Sequence, residues 1–307
     1  MFHPINHDNN YIITAATHDG DFHADEVVAI SLIKLAYQKI KIIRSRDPKI
    51  LGTADFMLDV GGIYDPSIRK FDHHQKNYSG TLATAGMVLE WLRNEGVLDT
   101  KFANYLKNIF IKGVDMQDNG DFSSQRGFCT FSDVIRYFNP LPPATEEEYH
   151  KCFHKALEFT SFFFERLKSR YIHNRKHKKK FLFYLHKKKQ PIPGILILNE
   201  NIPWKEYIFE ENDCYNIKLV IFPVNKNKWI LHTVSKSLEK PFSSRLKLPN
   251  TWAGLLDQDF GQTLGIKEAI FCHKRRFMAV FKTKKAALNA GLLALNHKKE
   301  DPLTAVS

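Results

Sequence analysis

A short apolar run, Tyr11-Ile12-Ile13-Thr14-Ala15-Ala16, leads directly into Thr17-His18-Asp19-Gly20-Asp21-Phe22-His23-Ala24-Asp25-Glu26. This succession constrains the fold more than any other stretch. The β-branched run predicts a buried strand. Val27, Val28, Ile30, Leu32, Ile33, Leu35 and Ala36 then sit at near-helical spacing. A strand, a polar loop and a helix form the unit from which α/β enzymes are built, with ligands held beyond the strand C-termini. Two histidines and several carboxylates in one such loop point to metal or proton chemistry. The plain alternatives are a loop histidine at 18 and a helix cap at Asp25.

The pattern recurs downstream. Lys41–Arg44 reads as a second strand and Asp55–Val60 as a third, which ends on Asp59 and the Gly61-Gly62 turn. Arg69-Lys70-Phe71 leads into Asp72-His73-His74-Gln75, two adjacent imidazoles between a carboxylate and an amide. Such a set suits Mn²⁺, Mg²⁺ or Zn²⁺. Thr81–Leu92 has the apolar spacing of an amphipathic helix with Gly96 as its C′ residue, and another helix is expected over Phe102–Ile111. Gly113 to Gly120, with Asp115 and Asp118, reads as a further acidic loop. Alternating strands and helices predict a mostly parallel sheet with flanking helices and right-handed crossovers, whose loops converge on one edge.

Thr145-Glu146-Glu147-Glu148 has the form of a capping box. The helix behind it runs through Phe153, Leu157, Phe159, Phe163, Phe164 and Leu167 into the basic run Arg170–Lys180, with Lys187-Lys188-Lys189 beyond. Strands are expected at Ile195–Leu198, Lys218–Phe222 and Trp229–Thr233, the last two joined by a hairpin, and a helix over Lys284–Leu295. The organisation expected is an α/β metal-binding domain over 1–142, a connector helix and basic linker over 143–190, and a smaller α+β domain over 191–307.

A chain of 307 residues, 43% hydrophobic and 25% charged, can bury two cores. Lys+Arg 45 against Asp+Glu 33 gives +12, which favours polyanionic partners, nucleic acid ahead of anionic membrane. Cys129, Cys152, Cys214 and Cys272 form no C-x-x-C pair, which argues against a disulfide framework or a structural zinc site. The first ten residues lack a leader pattern, and no apolar run reaches the ~20 residues that span a bilayer. A soluble, cytoplasmic protein is the expectation.

These residues together resemble the melanocyte-proliferating-gene family, a branch of the DHH phosphoesterase superfamily, over nearly the whole chain. The resemblance is carried by Thr17, His18, Gly20, Phe22, His23, Asp25 and Glu26; by Asp59 to Gly62 with Tyr64-Asp65-Pro66; by Arg69 with Phe71 to Gln75; and by Asp115 with Asp118 to Gly120. In the second half, Ile202-Pro203-Trp204-Lys205 and Arg245, Pro249, Trp252, Gly254 and Leu255 also look like the family's.

The resemblance implies a phosphoesterase with two divalent ions, Mn²⁺ ahead of Mg²⁺, acting on single-stranded RNA or short oligonucleotides from the 3′ end. By position it makes His18, His23, Asp25, Asp59 and one of Asp115 and Asp118 metal ligands, with Asp59 bridging. It gives Asp72, His73 and His74 catalytic roles, the two histidines ligating metal or holding the scissile phosphate, and places Arg69, Gln75 and Arg245 near substrate. The family's C-terminal glycines are replaced here by Cys272-His273-Lys274-Arg275-Arg276, so side-chain contact by His273, Lys274, Arg275 and Arg276 is expected instead of close backbone approach. Trp204 and Trp252 are expected in the core, with base stacking as the alternative. Two other functions fit the same site, a phosphatase or pyrophosphatase for a small metabolite and a non-catalytic nucleic-acid-binding metalloprotein. A homo-oligomer is left open.

Overall fold

A computed structural model describes residues 11–37, 39–122, 125–187, 192–211, 214 and 216–297. The expectation of no leader over the first ten residues lies outside them, as do Lys188 and Lys189 of the second basic run. The chain divides into two compact units, 1–171 and 172–307.

In the first unit the elements are β1 (Ile13–Thr17), α1 (Ala24–Ala36), β2 (Ile40–Arg44), α2 (Pro48–Leu51), β3 (Phe56–Leu58), β4 (Tyr64–Asp65), β5 (Lys70–Phe71) and α3 (Thr84–Asn94). They are followed by α4 (Thr100–Leu106), a π-helical turn over Lys107–Ile111, α5 (Lys112–Asp118), α6 (Phe131–Arg136) and α7 (Glu146–Leu182), within which the unit boundary falls. The strand order is β2-β1-β3-β5-β4, parallel except for the edge strand β4. This is an α/β fold.

Period-2 alternation makes this sheet two-sided. Ile13 and Ala15 of β1, with Phe56 and Leu58 of β3, enter a large core with Val27, Ile30, Val88, Trp91 and Phe102. Ala16 and Met57, pointing the other way, enter a small cluster with Leu51 and Val60. The first 26 residues of α7 belong to the first unit, and their Phe153, Leu157 and Phe164 are buried in the same large core.

The segment read as an acidic loop at 113–120 is instead helical. Gly113 and the polar residues around it favour a loop locally, but Ile111 and Val114 are buried in the core and their packing overrides that propensity. The helix stops at Asn119, with Gly120 in the left-handed region at φ 76°. Asp115 and Asp118 therefore lie three residues apart on one helix.

Helix α3 begins at Thr84 rather than Thr81 because its first amides are taken up there by carboxylates. Asp25 accepts from Thr84 N and Ala85 N, each at 2.7 Å, and Asp115 accepts from Gly86 N at 2.9 Å. Three amides that the helix itself cannot satisfy thus meet negative charge at its positive end.

The second unit has β6 (Ile195–Ile197), α8 (Tyr207–Glu210), β7 (Leu219–Asn225), β8 (Lys228–Thr233), α9 (Asp257–Leu264), β9 (Ala269–Cys272), β10 (Met278–Phe281) and α10 (Lys284–His297). Its sheet runs β6-β7-β8-β10-β9, parallel only between β6 and β7. Ala286, Ala287, Ala290 and Ala294 of α10 join a core with Leu219, Ile221 and Trp252. Val220 and Phe222 join the opposite cluster with Trp204 and Phe181. Both tryptophans are buried. The basic run on α7 is partly paired: Lys178 Nζ meets Glu210 at 2.5 Å and Glu211 at 3.1 Å, and Lys180 pairs with Glu200. Strands β9 and β10 escape sequence reading because the charged turn between them breaks the apolar pattern. Among the described residues, no helix is long and apolar enough to cross a membrane.

A Cβ at position 86 would be driven into the Asp115 carboxylate that holds the Gly86 amide. Gly86→Ala is therefore expected to destabilise the protein by about 1–3 kcal/mol, as overpacked sites do. Urea unfolding of the two proteins side by side measures the difference.

Candidate metal centre

The loops after β1, β3 and β5 leave the same edge of the parallel sheet. His18 follows β1, Asp59 follows β3, and Asp72 to His74 follow β5. The first loop is braced from two sides. Arg44, at the end of β2, donates to the carbonyls of His18 (3.2 Å) and Gly20 (2.6 Å), and its guanidinium lies 4.6 Å from the Phe153 ring centroid. Asn139 donates to Phe22 O at 2.8 Å and accepts from Phe22 N at 3.0 Å. Phe22 is fully buried, so the polar residues on either side of it are held outward.

Asp59 sits at φ 55°, a left-handed conformation that costs a non-glycine residue about 1–3 kcal/mol and that recurs at functional sites. The turn behind it, Gly61 at φ 96° and Gly62 at φ 66°, uses the conformational freedom of glycine. Gly62 N donates to Asp72 Oδ2 at 2.6 Å. The other Asp72 oxygen accepts from His74 N and contacts His74 Nδ1, both at 2.9 Å. Asp72 is buried and orients His74.

Hydrogen bonds assign the imidazole tautomers. His18 Nδ1 lies 2.9 Å from the carbonyl of Asp19, which can only accept, so Nδ1 carries the proton. Asn119 spends its Nδ2 on Thr81 O, which turns its Oδ1 toward His73 Nδ1 at 3.1 Å. His73 Nδ1 therefore donates as well. Both Nε2 atoms are left facing carboxylates. That of His18 is 3.2 Å from Glu26 Oε1 and 3.5 Å from Asp59 Oδ2. That of His73 is 2.9 Å from Asp118 Oδ2 and 3.6 Å from Asp59 Oδ1, with no hydrogen bond of good geometry to either. His74 Nδ1 is 3.4 Å from Asp59 Oδ1. Lone pairs directed at anions require a cation between them.

Protons fill that role when metal is absent. Burial opposes charge on His18, but Asp59 and Glu26 hold its pKa up at about 10. Burial likewise opposes His73, and Asp118 and Asp59 carry it to about 11. Contact with Asp59 leads the rise of His74 to about 9. Burial would raise Asp59, yet the three imidazoles hold it well below the usual carboxylate range. Asp25 is pushed well above that range by burial and then by the charges of Asp59 and Asp118. Burial raises Asp115 to about 7, against the pull of the Gly86 and Ala83 amides.

Three overlapping groups place one ligand atom per residue within 4.8 Å of one another: His18, His23, Glu26 and Asp59; Asp59, His73 and His74; and Asp25, His73 and Asp118. Asp59 is shared by the first two and His73 by the last two. Glu26 Oε2 is buried and makes no hydrogen bond among the described residues. Such a set is consistent with a divalent metal.

Of the residues singled out from the sequence, His18, His23, Asp25, Asp59, His73, His74 and Asp118 come together here. Asp115 points to the start of α3 and lies in none of the three groups. Glu26 was given no role from the sequence; its place in the first turn of α1, eight residues after His18, was the available signal. Arg69 stacks its guanidinium 5.2 Å from the Phe56 ring and 5.8 Å from Trp91, away from the cluster. Gln75 has a buried Oε1 with no hydrogen bond among the described residues. In the second unit, Arg245 donates to the carbonyls of Cys214 and Ile217, and Arg276 donates to Leu248 O. His273 packs 4.4 Å from the Phe277 ring, Arg275 lies 5.0 Å from the Phe242 ring, and Lys274 is exposed.

The fold and the site define an α/β protein with a histidine–carboxylate centre at the C-terminal edge of a parallel sheet. The chain belongs to the MYG1 family: the family model MYG1_exonuc, described as an uncharacterised protein family (UPF0160), matches residues 14–295. A MYG1 protein of Chlamydia pneumoniae is 36% identical over 287 residues, which span 92% of this chain and 96% of the relative. A MYG1 protein of Schizosaccharomyces pombe is 29% identical over 324 residues, spanning 94% of this chain and 98% of that one. The MYG1 exonuclease of Rattus norvegicus is 28% identical over 314 residues, spanning 89% of this chain and 82% of its own.

The raised imidazole pKa values stabilise the metal-free fold fully below about pH 6.5, the unfolded value, and this support is lost as pH climbs through about 9 to 11. Asp115 loses its contribution earlier, near 7. Metal must displace these protons. Added Mn²⁺ is thus expected to raise the unfolding temperature more at about pH 8.5 than at about pH 6. Glu26→Gln should weaken Mn²⁺ binding by about 10–100-fold in calorimetric titration.

Proposed function

We propose that this chain is a metal-dependent phosphodiesterase of the DHH type, cutting single-stranded RNA from its 3′ end. The observation that carries the reading is the pair of imidazole Nε2 lone pairs, on His18 and His73, that face carboxylates around a shared Asp59. The names of the mammalian relatives, MYG1 exonuclease, agree with it, as does the net charge of +12. Two ions, Mn²⁺ ahead of Mg²⁺, would be held by His18, His23, Glu26, Asp59, Asp25, His73 and Asp118. Bound there, they would polarise a phosphoryl oxygen and bring the pKa of a water toward neutrality.

The protein's own groups supply the rest. In the reaction water adds to phosphorus, the bond to the upstream O3′ breaks, and the 3′-terminal nucleotide leaves with the phosphate on its 5′ oxygen. His74, whose side chain is 64% exposed, reaches the open cavity, and Asp72 fixes its direction. Its imidazole, outside the ligand set named above, can deliver a proton to the departing O3′. Asp25 holds the start of α3 while turning toward His73 and Asp118.

The test is digestion of 5′-labelled single-stranded RNA with Mn²⁺. A ladder shortening from the 3′ end is expected, and an inert protein would overturn the reading. Asp59→Asn should abolish turnover, and His74→Ala should lower kcat by about 10²–10⁴. Faster turnover of pyrophosphate than of any oligonucleotide would reassign the site to small phosphorylated metabolites.

A further inference from the structure

Two cavities open from the centre. One, of about 670 Å³, is lined by Asp19, Gly61 and Arg46 as well as by residues of the centre. The other, of about 300 Å³, is lined by Gln117, Ser132 and Arg136 as well as by residues of the centre. His23, Asp59 and His74 line both. A strand of substrate lying across the centre would enter both.

Most charge along these walls repels a polyanion. Asp19, Asp21, Asp59 and Asp72 face the larger cavity, and Asp59, Asp118 and Asp133 the smaller. Among the described lining residues each cavity has a single lysine or arginine: Arg46 just beyond β2, and Arg136 at the end of α6. Both side chains are 65% exposed. Arg46 meets Asp19 through Nε at 3.1 Å, an ion pair that does not use its two terminal nitrogens. The Arg136 Nη2 contact with Asp133 is long, 3.7 Å, and the second Asp133 oxygen already accepts from Thr130 N and Oγ1. Arg44 differs: its Nε and Nη2 donate to the His18 and Gly20 carbonyls, and it lines neither cavity.

We propose that Arg46 and Arg136, one in each of the two cavities that share the centre, are phosphate-binding residues, so that the preferred substrate carries a phosphate on each side of the bond being cut. The inference rests on the hydrolytic reading above. A guanidinium presents paired donors that match two phosphate oxygens, which suits it to hold a backbone phosphate against acidic walls. A monophosphate or a bare dinucleotide would leave both arginines without a phosphate to hold. Extra phosphate at either end is therefore what the cleft selects.

Mn²⁺-dependent cleavage of three short RNAs tests this: a dinucleotide whose single phosphate is the one attacked, the same molecule with a 5′-phosphate, and the same molecule with a 3′-phosphate. Each added phosphate should raise kcat/KM roughly tenfold, the worth of a charged hydrogen bond. Arg46→Gln should erase the gain from one end and Arg136→Gln the gain from the other. Arg46→Lys and Arg136→Lys should keep part of it, because charge remains without the fork. Binding of fluorescent single-stranded RNA gives a second readout independent of turnover. Its salt slope should fall by about 0.7 for each arginine removed. A wild-type protein that cuts none of the three RNAs overturns the hydrolytic reading. One that cuts them equally, or gains that survive in both glutamine variants with an unchanged salt slope, overturns this inference alone.

Discussion

Crowded negative charge is the constraint that the first unit must satisfy. Asp25, Asp59, Asp72 and Asp115 are all buried, and Glu26 is fully so. Carboxylates that close cannot all ionise unless opposite charge or directed N–H groups meet them. The chain answers residue by residue. Asp59 takes three imidazoles, Asp72 takes Gly62 N and His74, and Asp25 and Asp115 take the first amides of α3. What these partners leave over is an anionic hollow fitted to cations.

The scaffold around the hollow is correspondingly rigid. Its ligand loops are short and anchored at both ends, and the anchors come from distant sequence: Arg44 from β2, Asn139 from beyond α6, and Thr84 to Gly86 from α3. The strained backbone at Asp59 belongs to the same arrangement, since the ladder bond from Asp59 N to Phe71 O fixes the residue from behind.

Much of this was legible in the sequence. The α/β order follows from apolar runs whose period changes between strand and helix, and the histidine-bearing loops announce themselves because each follows such a run. Other features depend on contacts that no local pattern encodes. Asp115 and Asp118 are equivalent by spacing; only α3, which offers an amide to one, separates them. Glu26 looks like an ordinary first-turn acid until its oxygen is found beside His18 Nε2. Arg44 reads as a strand end, yet it is a half-buried brace. Arg69, set in a motif with the imidazoles, turns instead onto aromatic rings.

The π-turn between α4 and α5 gives the centre a rotational phase. Each residue of a regular helix turns the next by about 100°. The five residues of Lys107–Ile111 take up wider turns than their neighbours, and whatever follows inherits that offset. Asp115 and Asp118 come next, one aimed at a helix end and the other at an imidazole. Shortening the chain there by a single residue would swing both carboxylates away together while sparing every residue of the site itself. The cluster is thus indexed from a distance, by a winding defect several residues upstream.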